Sequence, residues 1–311
     1  MEPCKGGHFR MVHTRDQSHQ VLRKSWHVIT NHVIQRTRTF ICCMGILVCG
    51  AVGLWPEPTY SGTDGTPLSS GVMPAIPSLD SIPSTSEGDR IRLGYNLVVN
   101  TQTYAKAFVG NALTCTNCHL DAGRKVGAGT YVGVPYAYPQ YKARVGKEIS
   151  LEERINECFE RSLNGKALPP HSPEMDAIQA YMSWLSQDVP PSANLSWLGF
   201  PLMNMTRKPD RQNGQRVFTG SCTGCHGSDG HGTMVAPPLW GPQSFNIASG
   251  LARVSKAAAF IKGNMPLSQP GVLSDVEAYD VAAFMNSHSR PDYALKAFDW
   301  PKEDKPVDSP Y

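Results

Sequence analysis

The chain has 311 residues, which is enough for two domains of about 100 residues each and a terminal extension. Its formal net charge is +3, but residues 1–38 carry seven of the 29 basic and two of the 26 acidic residues, so the remainder is near neutral at −2. This balance argues against nucleic acid as a partner, because nucleic-acid-binding domains concentrate positive charge.

The N-terminal region has the pattern of an export sequence. Residues 40–55 form an apolar run, preceded by Arg36 and Arg38, that is short of the roughly 20 residues of a membrane-spanning helix. No clear A-x-A cleavage site follows it, so residues 1–55 are predicted to be either a cleaved signal or an N-terminal membrane anchor. Both alternatives predict a periplasmic protein. Residues 56–86, rich in Pro, Gly, Ser and Thr, are predicted to be a disordered linker.

Two copies of one short motif follow. Cys115-Thr-Asn-Cys118-His119 recurs as Cys222-Thr-Gly-Cys225-His226. In a Cys-x-x-Cys-His motif the two thiols attach covalently to the haem vinyl groups, and the His binds the iron. Zinc sites and thiol–disulfide pairs also use Cys-x-x-Cys, but the adjacent His suits neither. The sequence therefore predicts two covalently bound haem c groups, with His119 and His226 as iron ligands.

The apolar periodicity predicts helices around both motifs. Ser150 and Glu153 form a capping box that starts a helix over residues 151–164. Further helices are predicted over residues 87–100, 173–187 and 274–287, with a short helix through Gln215.

This order predicts a mainly α fold of two tandem class I-like cytochrome c domains, each wrapped round its haem. The closing helices of the two halves match at an offset of 101, which indicates a duplication. The predicted segments are domain 1 (residues 87–189), a Pro-rich interdomain linker (190–209), domain 2 (210–290) and a loose C-terminal tail (291–311).

The second iron ligands are predicted from this repeat. Met265 lies 39 residues after His226, and the same count from His119 reaches Cys158, a cysteine outside both motifs. Cys158 is therefore predicted to bind the first haem iron and Met265 the second. The alternatives are that Cys158 is a buried thiol in an apolar stripe, that His171 or Met175 binds the first iron, and that Lys262 replaces Met265. His171 is expected to face solvent, and Met175 to lie in the core.

Several other residues are assigned minor roles. The carbonyl of Pro238 is expected to orient His226. Met234 is expected to fill a loop, and His231 and His288 to lie on the surface.

A cationic group is predicted beside Cys158. Arg154, Cys158 and Ser162 share one helix face, which Arg144 and Lys142 approach from the preceding loop. Lys142 and Arg161 are expected to be solvated. A cationic pocket around a sulfur ligand indicates a small, sulfur-containing anionic substrate.

The run Arg154-Ile-Asn-Glu-Cys158-Phe-Glu-Arg161-Ser162-Leu-Asn164-Gly165-Lys166, with Pro139-Gln140-Tyr141 and Arg144 upstream, resembles the dihaem thiosulfate dehydrogenases (tetrathionate synthases). The resemblance covers residues 87–290. It implies that Cys158 binds the first haem iron and takes part in joining two thiosulfates into tetrathionate. It also implies that Arg144, Arg154, Ser162 and Lys166 line the active site. Some members exchange a Lys for the Met ligand, but this chain has Asn264 directly before Met265.

The predicted function is therefore thiosulfate dehydrogenase. Electrons are expected to pass from the first haem to the second and then to a small redox carrier, soluble or membrane-linked. A thiolate ligand favours ferric iron, whereas Met raises the reduction potential. The alternatives are a dihaem electron-transfer subunit without catalysis, tetrathionate reduction as the main direction, and a sulfur-carrier conjugation of the SoxA type.

Overall fold

A computed structural model describes residues 73–201, 203 and 207–311. This part of the chain is mainly helical. Its α-helices are α1 (Ser86–Val99), α2 (Thr101–Tyr104), α3 (Leu151–Glu157), α4 (Pro173–Leu185), α5 (Arg211–Ser221), α6 (Thr223–His226), α7 (Val254–Asn264) and α8 (Asp275–Met285). No helix among these residues has the length and apolar character needed to cross a bilayer. The apolar run at 40–55 lies outside the described residues.

The first and last helices of each half pack closely, α1 on α4 and α5 on α8. A glycine permits each contact. A Cβ atom at Gly94 of α1 would lie 2.0 Å from the Ala177 carbonyl oxygen of α4, and one at Gly214 of α5 would lie 2.0 Å from the Asp280 carbonyl oxygen of α8. The duplication detected in the sequence therefore has a counterpart in the packing.

Capping side chains set the start of the principal helices. Ser150 and Glu153 form the predicted capping box of α3, with the Glu153 N–H donating to Ser150 Oγ at 3.2 Å and the Ser150 N–H donating to Glu153 Oε2 at 2.8 Å. Ser274 and Glu277 repeat this arrangement at α8. These residues fix where the helices begin, as the sequence predicted.

The predicted helix over 151–164 changes its winding part-way. The α-helical part ends at Glu157, and Cys158–Ser162 form one turn of π-helix. The chain then turns at Asn164, which has a φ of 49°. Because π-helical turns are wider than α-helical turns and occur mostly at functional sites, this departure marks the segment around Cys158.

Several elements were not predicted, among them two strands and one long helix. The strands β1 (Gln140–Lys142) and β2 (Lys147–Ile149) form a short antiparallel hairpin, in which Gln140 pairs with Ile149. Helix α7, which ends immediately before Met265, was also missed.

Two segments expected to be loose are packed against the domains. In the described part of the predicted linker, Ile82 is buried, and its carbonyl accepts a 3.0 Å hydrogen bond from Arg92. In residues 291–311, here called the tail segment, Asp299 binds Arg161 of domain 1 and Asp308 binds Arg253 of domain 2. The expectation of a loose tail was wrong, because these buried and half-buried ion pairs fasten it to both domains.

The two domains contact each other directly. Asn111 of domain 1 donates to the carbonyl of Ser244 in domain 2 at 3.1 Å, and Asn246 of domain 2 donates to the carbonyl of Glu160 at 2.9 Å. The second of these bonds reaches the π-helical segment of domain 1. Domain 2 therefore supports the region that contains Cys158.

Candidate functional site

Both Cys-x-x-Cys-His motifs adopt the same tight turn. In the first, the Cys118 and His119 amides donate to the Cys115 carbonyl at 3.2 and 2.9 Å. In the second, the Cys225 and His226 amides donate to the Cys222 carbonyl at the same two distances. Each turn brings two thiols and one imidazole to one short segment, as attachment of a haem requires.

Each motif histidine is oriented by a backbone carbonyl. His119 Nδ1 lies 2.6 Å from the Gly129 oxygen, and His226 Nδ1 lies 2.8 Å from the Pro237 oxygen. A carbonyl only accepts, so Nδ1 carries the proton and Nε2 keeps its lone pair for a metal. Burial lowers the pKa of His226, which favours the neutral form that binds metals.

The backbone carbonyl that orients His226 belongs to the residue before the predicted one. Pro238 was expected, but the oxygen belongs to Pro237. The residue before a proline is held in an extended conformation, in which successive carbonyls point in different directions. In this loop it is the Pro237 carbonyl that faces the imidazole.

A cavity of about 630 Å³ borders the first motif. We call it the first-haem cavity. Domain 1 lines it with Cys115, Cys118, His119 and Cys158, among others. The rest of the wall comes from linker residues 198–200, from domain 2 at 249–251, 253 and 256, and from Trp300 of the tail segment.

Cys158 is held in this wall by a charged neighbour. Arg154 lies one turn earlier in α3, and its Nη1 donates a 3.2 Å hydrogen bond to Cys158 Sγ. Burial alone would raise the pKa of the Cys158 thiol, but the Arg154 guanidinium and the His119 ring outweigh it and lower the pKa to about 7. In the same cavity, burial raises the pKa of the Cys115 thiol to about 11 and that of Cys118 to about 12. Arg154 thus favours a thiolate at Cys158.

The two rival ligands do not line the cavity. The His171 side chain is 84% exposed and lies 3.4 Å from a Glu152 carboxylate oxygen. Met175 is fully buried in the core. The predictions that His171 faces solvent and that Met175 lies in the core are therefore confirmed.

The residues around the first-haem cavity fit a haem c group. Two thiols are available for covalent attachment, the His119 imidazole uses Nδ1 for the Gly129 oxygen and so keeps Nε2 for a metal, and the Cys158 thiol tends to ionise. Apolar side chains cover much of the remaining wall, including Val98, Val134 and Leu163.

Of the other predicted active-site residues, Arg144 and Ser162 line the cavity and Lys166 does not. Arg144 donates to the Ala248 carbonyl, and Ser162 Oγ lies 3.1 Å from Ser249 Oγ, both in domain 2. The chain turns away at Asn164, and the Lys166 amide donates to the Phe108 carbonyl at 3.1 Å while its side chain is exposed. The placement of Lys166 in the site is not supported.

Lys142 and Arg161 also differ from expectation. Arg161 is buried, and its guanidinium donates two hydrogen bonds to Asp299, at 2.7 and 2.9 Å. Lys142 lines the cavity, with its Nζ 5.3 Å from the centre of the Tyr138 ring. The expectation of a solvated face was wrong, because the tail segment covers Arg161 and the β-hairpin carries Lys142 into the wall.

Domain 2 adds two cations that were missed. The wall contains six basic residues and, among the lining residues, the single carboxylate of Glu157; the basic residues are Lys142, Arg144, Arg154, Arg161, Arg253 and Lys256. Arg253 and Lys256 stand about 100 positions from Cys158, and no sequence spacing relates them to it. Only the packing of the two domains brings them together.

Around the second motif, Met265 directly follows α7, and its amide donates to the Ile261 carbonyl at 2.8 Å. Lys262, the alternative iron ligand, donates a hydrogen bond from its Nζ to the Leu273 carbonyl at 2.6 Å. In this structure its amine is therefore used by the backbone and is not free to replace Met265. Asn264 is buried and donates to the Gly127 carbonyl of domain 1 at 3.0 Å.

Three further expectations concern the second half. His231 is exposed, as expected. Met234 lies in a loop but is fully exposed, so its side chain does not fill that loop. His288 is half-buried and not freely exposed as expected, because its ring stacks on Trp240 with a centroid separation of 3.9 Å.

Comparison with known proteins agrees with this geometry. Residues 101–190 match the family described as SoxA/TsdA, cytochrome c domain, and residues 209–285 match Cytochrome C oxidase, cbb3-type, subunit III. A thiosulfate dehydrogenase of Psychrobacter arcticus is 42% identical over 252 residues, covering 78% of this chain and 77% of the relative. One of Allochromatium vinosum is 43% identical over 226 residues, covering 70% and 84%. The chain belongs to the thiosulfate dehydrogenase family.

A solved member of this family has a similar structure. It is thiosulfate dehydrogenase (TsdBA) from Marichromatium purpuratum, with a TM-score of 0.70 and 34% identity over 75% of this chain. This chain spans 54% of that longer one. The predicted family, the mainly α fold of two cytochrome c domains and the class of oxidoreductase are therefore confirmed.

Proposed function

We propose that this protein is a thiosulfate dehydrogenase that carries two covalently bound haem c groups and joins two thiosulfates into tetrathionate. The observation that carries the proposal is the Cys158 thiol, which accepts a hydrogen bond from Arg154 in the wall of the cavity that also contains His119; Arg154 and His119 together outweigh burial and lower its pKa to about 7. The names of the relatives support the same reaction.

The charge of the cavity suits the substrate. Two thiosulfate dianions about 5 Å apart repel each other by about 3 kcal/mol at the dielectric constant of water, and by more in a drier site. Asp299 and Asp308 pair with Arg161 and Arg253, and Arg154 lies 3.6 Å from Glu157. Lys142, Arg144 and Lys256 are therefore the lining cations that form no ion pair among the described residues and remain for an anion. These side chains would offset the repulsion between the two substrates.

The reaction joins the terminal sulfurs of two thiosulfates and releases two electrons, with no net change in protons. Bound haem c supplies one-electron acceptors for this oxidation. Cys115, Cys118, His119 and Cys158 would hold the first group, and Cys222, Cys225, His226 and Met265 the second. Arg154 would keep Cys158 ionised, and Arg144 would orient a substrate oxyanion with Ser162 beside it. Lys166, which lies outside the wall, takes no part in this proposal.

The ligand types support an order of electron transfer. A thiolate lowers the reduction potential of haem and a thioether raises it. We therefore propose transfer from the Cys158 side to the Met265 side and then to a small redox carrier. Because c-type haem and an N-terminal export pattern occur together, we propose a periplasmic location, with the segment before residue 56 as signal or anchor.

A steady-state assay of the purified protein with both haems bound tests the proposal. With thiosulfate as donor and ferricyanide as acceptor, we expect one tetrathionate for every two ferricyanides reduced. Cys158→Gly should abolish turnover while both haems remain attached. His171→Gln, which alters a rival ligand, should match the wild type.

Three outcomes would contradict this proposal or part of it. Absence of turnover by fully loaded wild-type protein would indicate an electron carrier. A Cys158→Gly variant that turns over thiosulfate at the wild-type rate would contradict the role given to Cys158. A much faster reaction from tetrathionate with a reduced donor would indicate a reductase.

A further inference from the structure

Asn246 is a buried residue of domain 2 that makes hydrogen bonds to domain 1. Its Nδ2 atom donates to the Glu160 carbonyl at 2.9 Å and to Asn164 Oδ1 at 3.1 Å. Its backbone amide donates to the Arg161 carbonyl at 3.1 Å. Glu160 and Arg161 belong to the π-helical turn Cys158–Ser162. Asn246 therefore holds both the turn that begins at Cys158 and the bend that follows it.

The same residue fixes the segment of domain 2 that comes after it. Asn246 Oδ1 accepts a 3.0 Å hydrogen bond from the Ala248 amide, and the Asn246 carbonyl accepts one of 3.0 Å from the Ser249 amide. Ala248 and Ser249 are also buried. Because the side-chain oxygen and both protons of Nδ2 have partners, the Asn246 amide is held in one orientation.

The Ala248–Ser249 segment contacts two of the residues predicted for the active site. The Arg144 guanidinium donates to the Ala248 carbonyl, and Ser162 Oγ lies 3.1 Å from Ser249 Oγ. Arg144, Ser162 and Ser249 line the first-haem cavity, whereas Asn246 does not. Asn246 therefore acts on the cavity only through the residues that it holds.

The separation between the groups of the cavity is what this arrangement controls. Arg144 lies in the turn of the β-hairpin, and Cys158 begins the π-helical turn, so two different elements of domain 1 carry them. Asn246 and the segment after it contact both elements. A misplacement of about 1 Å between reacting groups can cost about 100-fold in rate. A buried connection between the two elements is therefore placed to influence the reaction.

We propose that Asn246 is a positioning residue of the substrate site. It fixes the π-helical turn of Cys158 against the Ala248–Ser249 segment, which in turn holds Arg144 and Ser162. The part of this role that concerns Arg144 and Ser162 rests on the proposed function. The part that concerns Cys158 requires only that the first-haem cavity holds haem.

Three variants of the haem-loaded protein test this role. Asn246→Ala removes the side-chain bonds to both domains, and Ser249→Ala removes only the hydroxyl that contacts Ser162. Asn156→Ala is the matched control. Asn156 also uses its side-chain amide for two hydrogen bonds to backbone groups, both of Leu168, at 3.0 and 2.8 Å, and it does not line the cavity. For each protein we would measure kcat and KM for thiosulfate, the midpoint potential and electron paramagnetic resonance spectrum of the first haem, and the unfolding temperature.

Asn246→Ala should lower kcat/KM for thiosulfate about tenfold and shift both the potential and the spectrum of the first haem, because the turn of Cys158 and the Ala248–Ser249 segment lose their common support. Ser249→Ala should raise KM about threefold and leave the potential unchanged, since it acts on Ser162 alone. Asn156→Ala should lower only the unfolding temperature.

The role of Asn246 is refuted if Asn246→Ala loses only stability, as the control does. It is also refuted if both Asn variants lose kcat/KM equally, since general destabilisation would then explain the loss. If Asn246→Ala does not fold, Ser249→Ala decides, and a KM equal to that of the wild type refutes the link from domain 2 to Ser162. If the wild type does not turn over thiosulfate, the proposed function fails, while the potential and spectrum of the first haem still distinguish Asn246→Ala from Asn156→Ala.

Discussion

Arg154 and Cys158 lie one helical turn apart, and the Arg154 guanidinium donates a 3.2 Å hydrogen bond to the Cys158 sulfur. The same guanidinium lies 3.6 Å from Glu157, so its charge is shared between a thiol and a carboxylate. A positive group at this distance favours the thiolate. Arg154 is therefore one of two side chains, with His119, that lower the pKa of the Cys158 thiol.

Replacing Arg154 by Gln should lower kcat/KM for thiosulfate by about 10- to 100-fold, because a charged hydrogen bond to the sulfur is lost. Arg154→Lys keeps the charge and should lose less. The steady-state assay with ferricyanide measures both. Equal activity of the Gln variant and the wild type would contradict the role given to Arg154.

Asp299→Asn should lower the free energy of unfolding by about 1.5–3 kcal/mol, because it removes a carboxylate that accepts two hydrogen bonds from the buried Arg161 guanidinium, which keeps only Glu157, 3.7 Å away, as a partner charge. The side chains of this pair are 8% and 3% exposed. Asp292→Asn is the matched control, since the Lys296–Asp292 pair is 38% and 65% exposed and should contribute less than about 1 kcal/mol. Denaturant unfolding measures the free energy of unfolding of both variants. Similar losses in the two variants would contradict the conclusion that the buried Asp299–Arg161 pair anchors the tail segment.

Lys256→Gln should raise the KM for thiosulfate about fivefold, because domain 2 would no longer supply this cation to the cavity wall. Lys106→Gln removes the same charge from an exposed site in domain 1 and should have no effect. Assays at low and high ionic strength should show the difference shrinking with salt. An equal change in KM for the two variants would indicate that only the overall charge of the protein matters, and not the position of Lys256 in the cavity wall.

Asp280→Asn should destabilise the protein by about 1.5–3 kcal/mol at neutral pH. Burial alone would raise the pKa of Asp280, but hydrogen bonds from Arg207, the Asp210 amide and Asn213 lower it below the ordinary value. The unfolded chain therefore binds this proton more readily than the folded one, so the stabilisation exists at neutral pH and is lost as pH falls through the acidic range. Unfolding at a series of pH values should show a smaller acid dependence in the variant, and an unchanged slope would argue against it.

Gly129→Ala should disturb the attachment and ligation of the first haem. Gly129 has a φ of 62°, and a Cβ atom there would lie 3.1 Å from His119 Nδ1. The backbone conformation alone costs about 1–2 kcal/mol with a side chain. Gly220→Ala in α5, where a Cβ meets no atom within 4 Å, is the control and should be neutral or slightly stabilising. The haem content and the haem spectrum of each variant measure the effect; two identical spectra would contradict a role for Gly129 in orienting His119.

Local sequence patterns predicted the features that depend on neighbouring residues. Ser150 and Glu153 predicted the start of α3, because the two residues that form the capping box lie three positions apart. Each Cys-x-x-Cys-His motif predicted a haem-attachment segment for the same reason, since its interacting groups lie within five positions. The repeat also related Cys158 to Met265, since duplicated packing preserves spacing. The sequence repeat did not predict the π-helical turn at Cys158–Ser162, because tertiary contacts and not local sequence determine where such a turn forms.

Features that depend on distant contacts were missed or misjudged. Arg161 was expected in solvent because its partner, Asp299, lies 138 positions away. Lys256 and Trp300 reach the cavity only after both domains and the tail segment have packed. The sequences around these two residues are ordinary helix and coil sequences. The spacing of apolar residues therefore could not predict that their side chains line the cavity.

Because domain 2 and the tail segment complete the first-haem cavity, the two cytochrome modules of this enzyme are not interchangeable parts. A chimera that takes its second domain from another cytochrome would replace part of the wall of the first-haem cavity. Such a hybrid would have to retain at least Ser249, Arg253, Lys256 and Trp300 to keep the lining of this cavity.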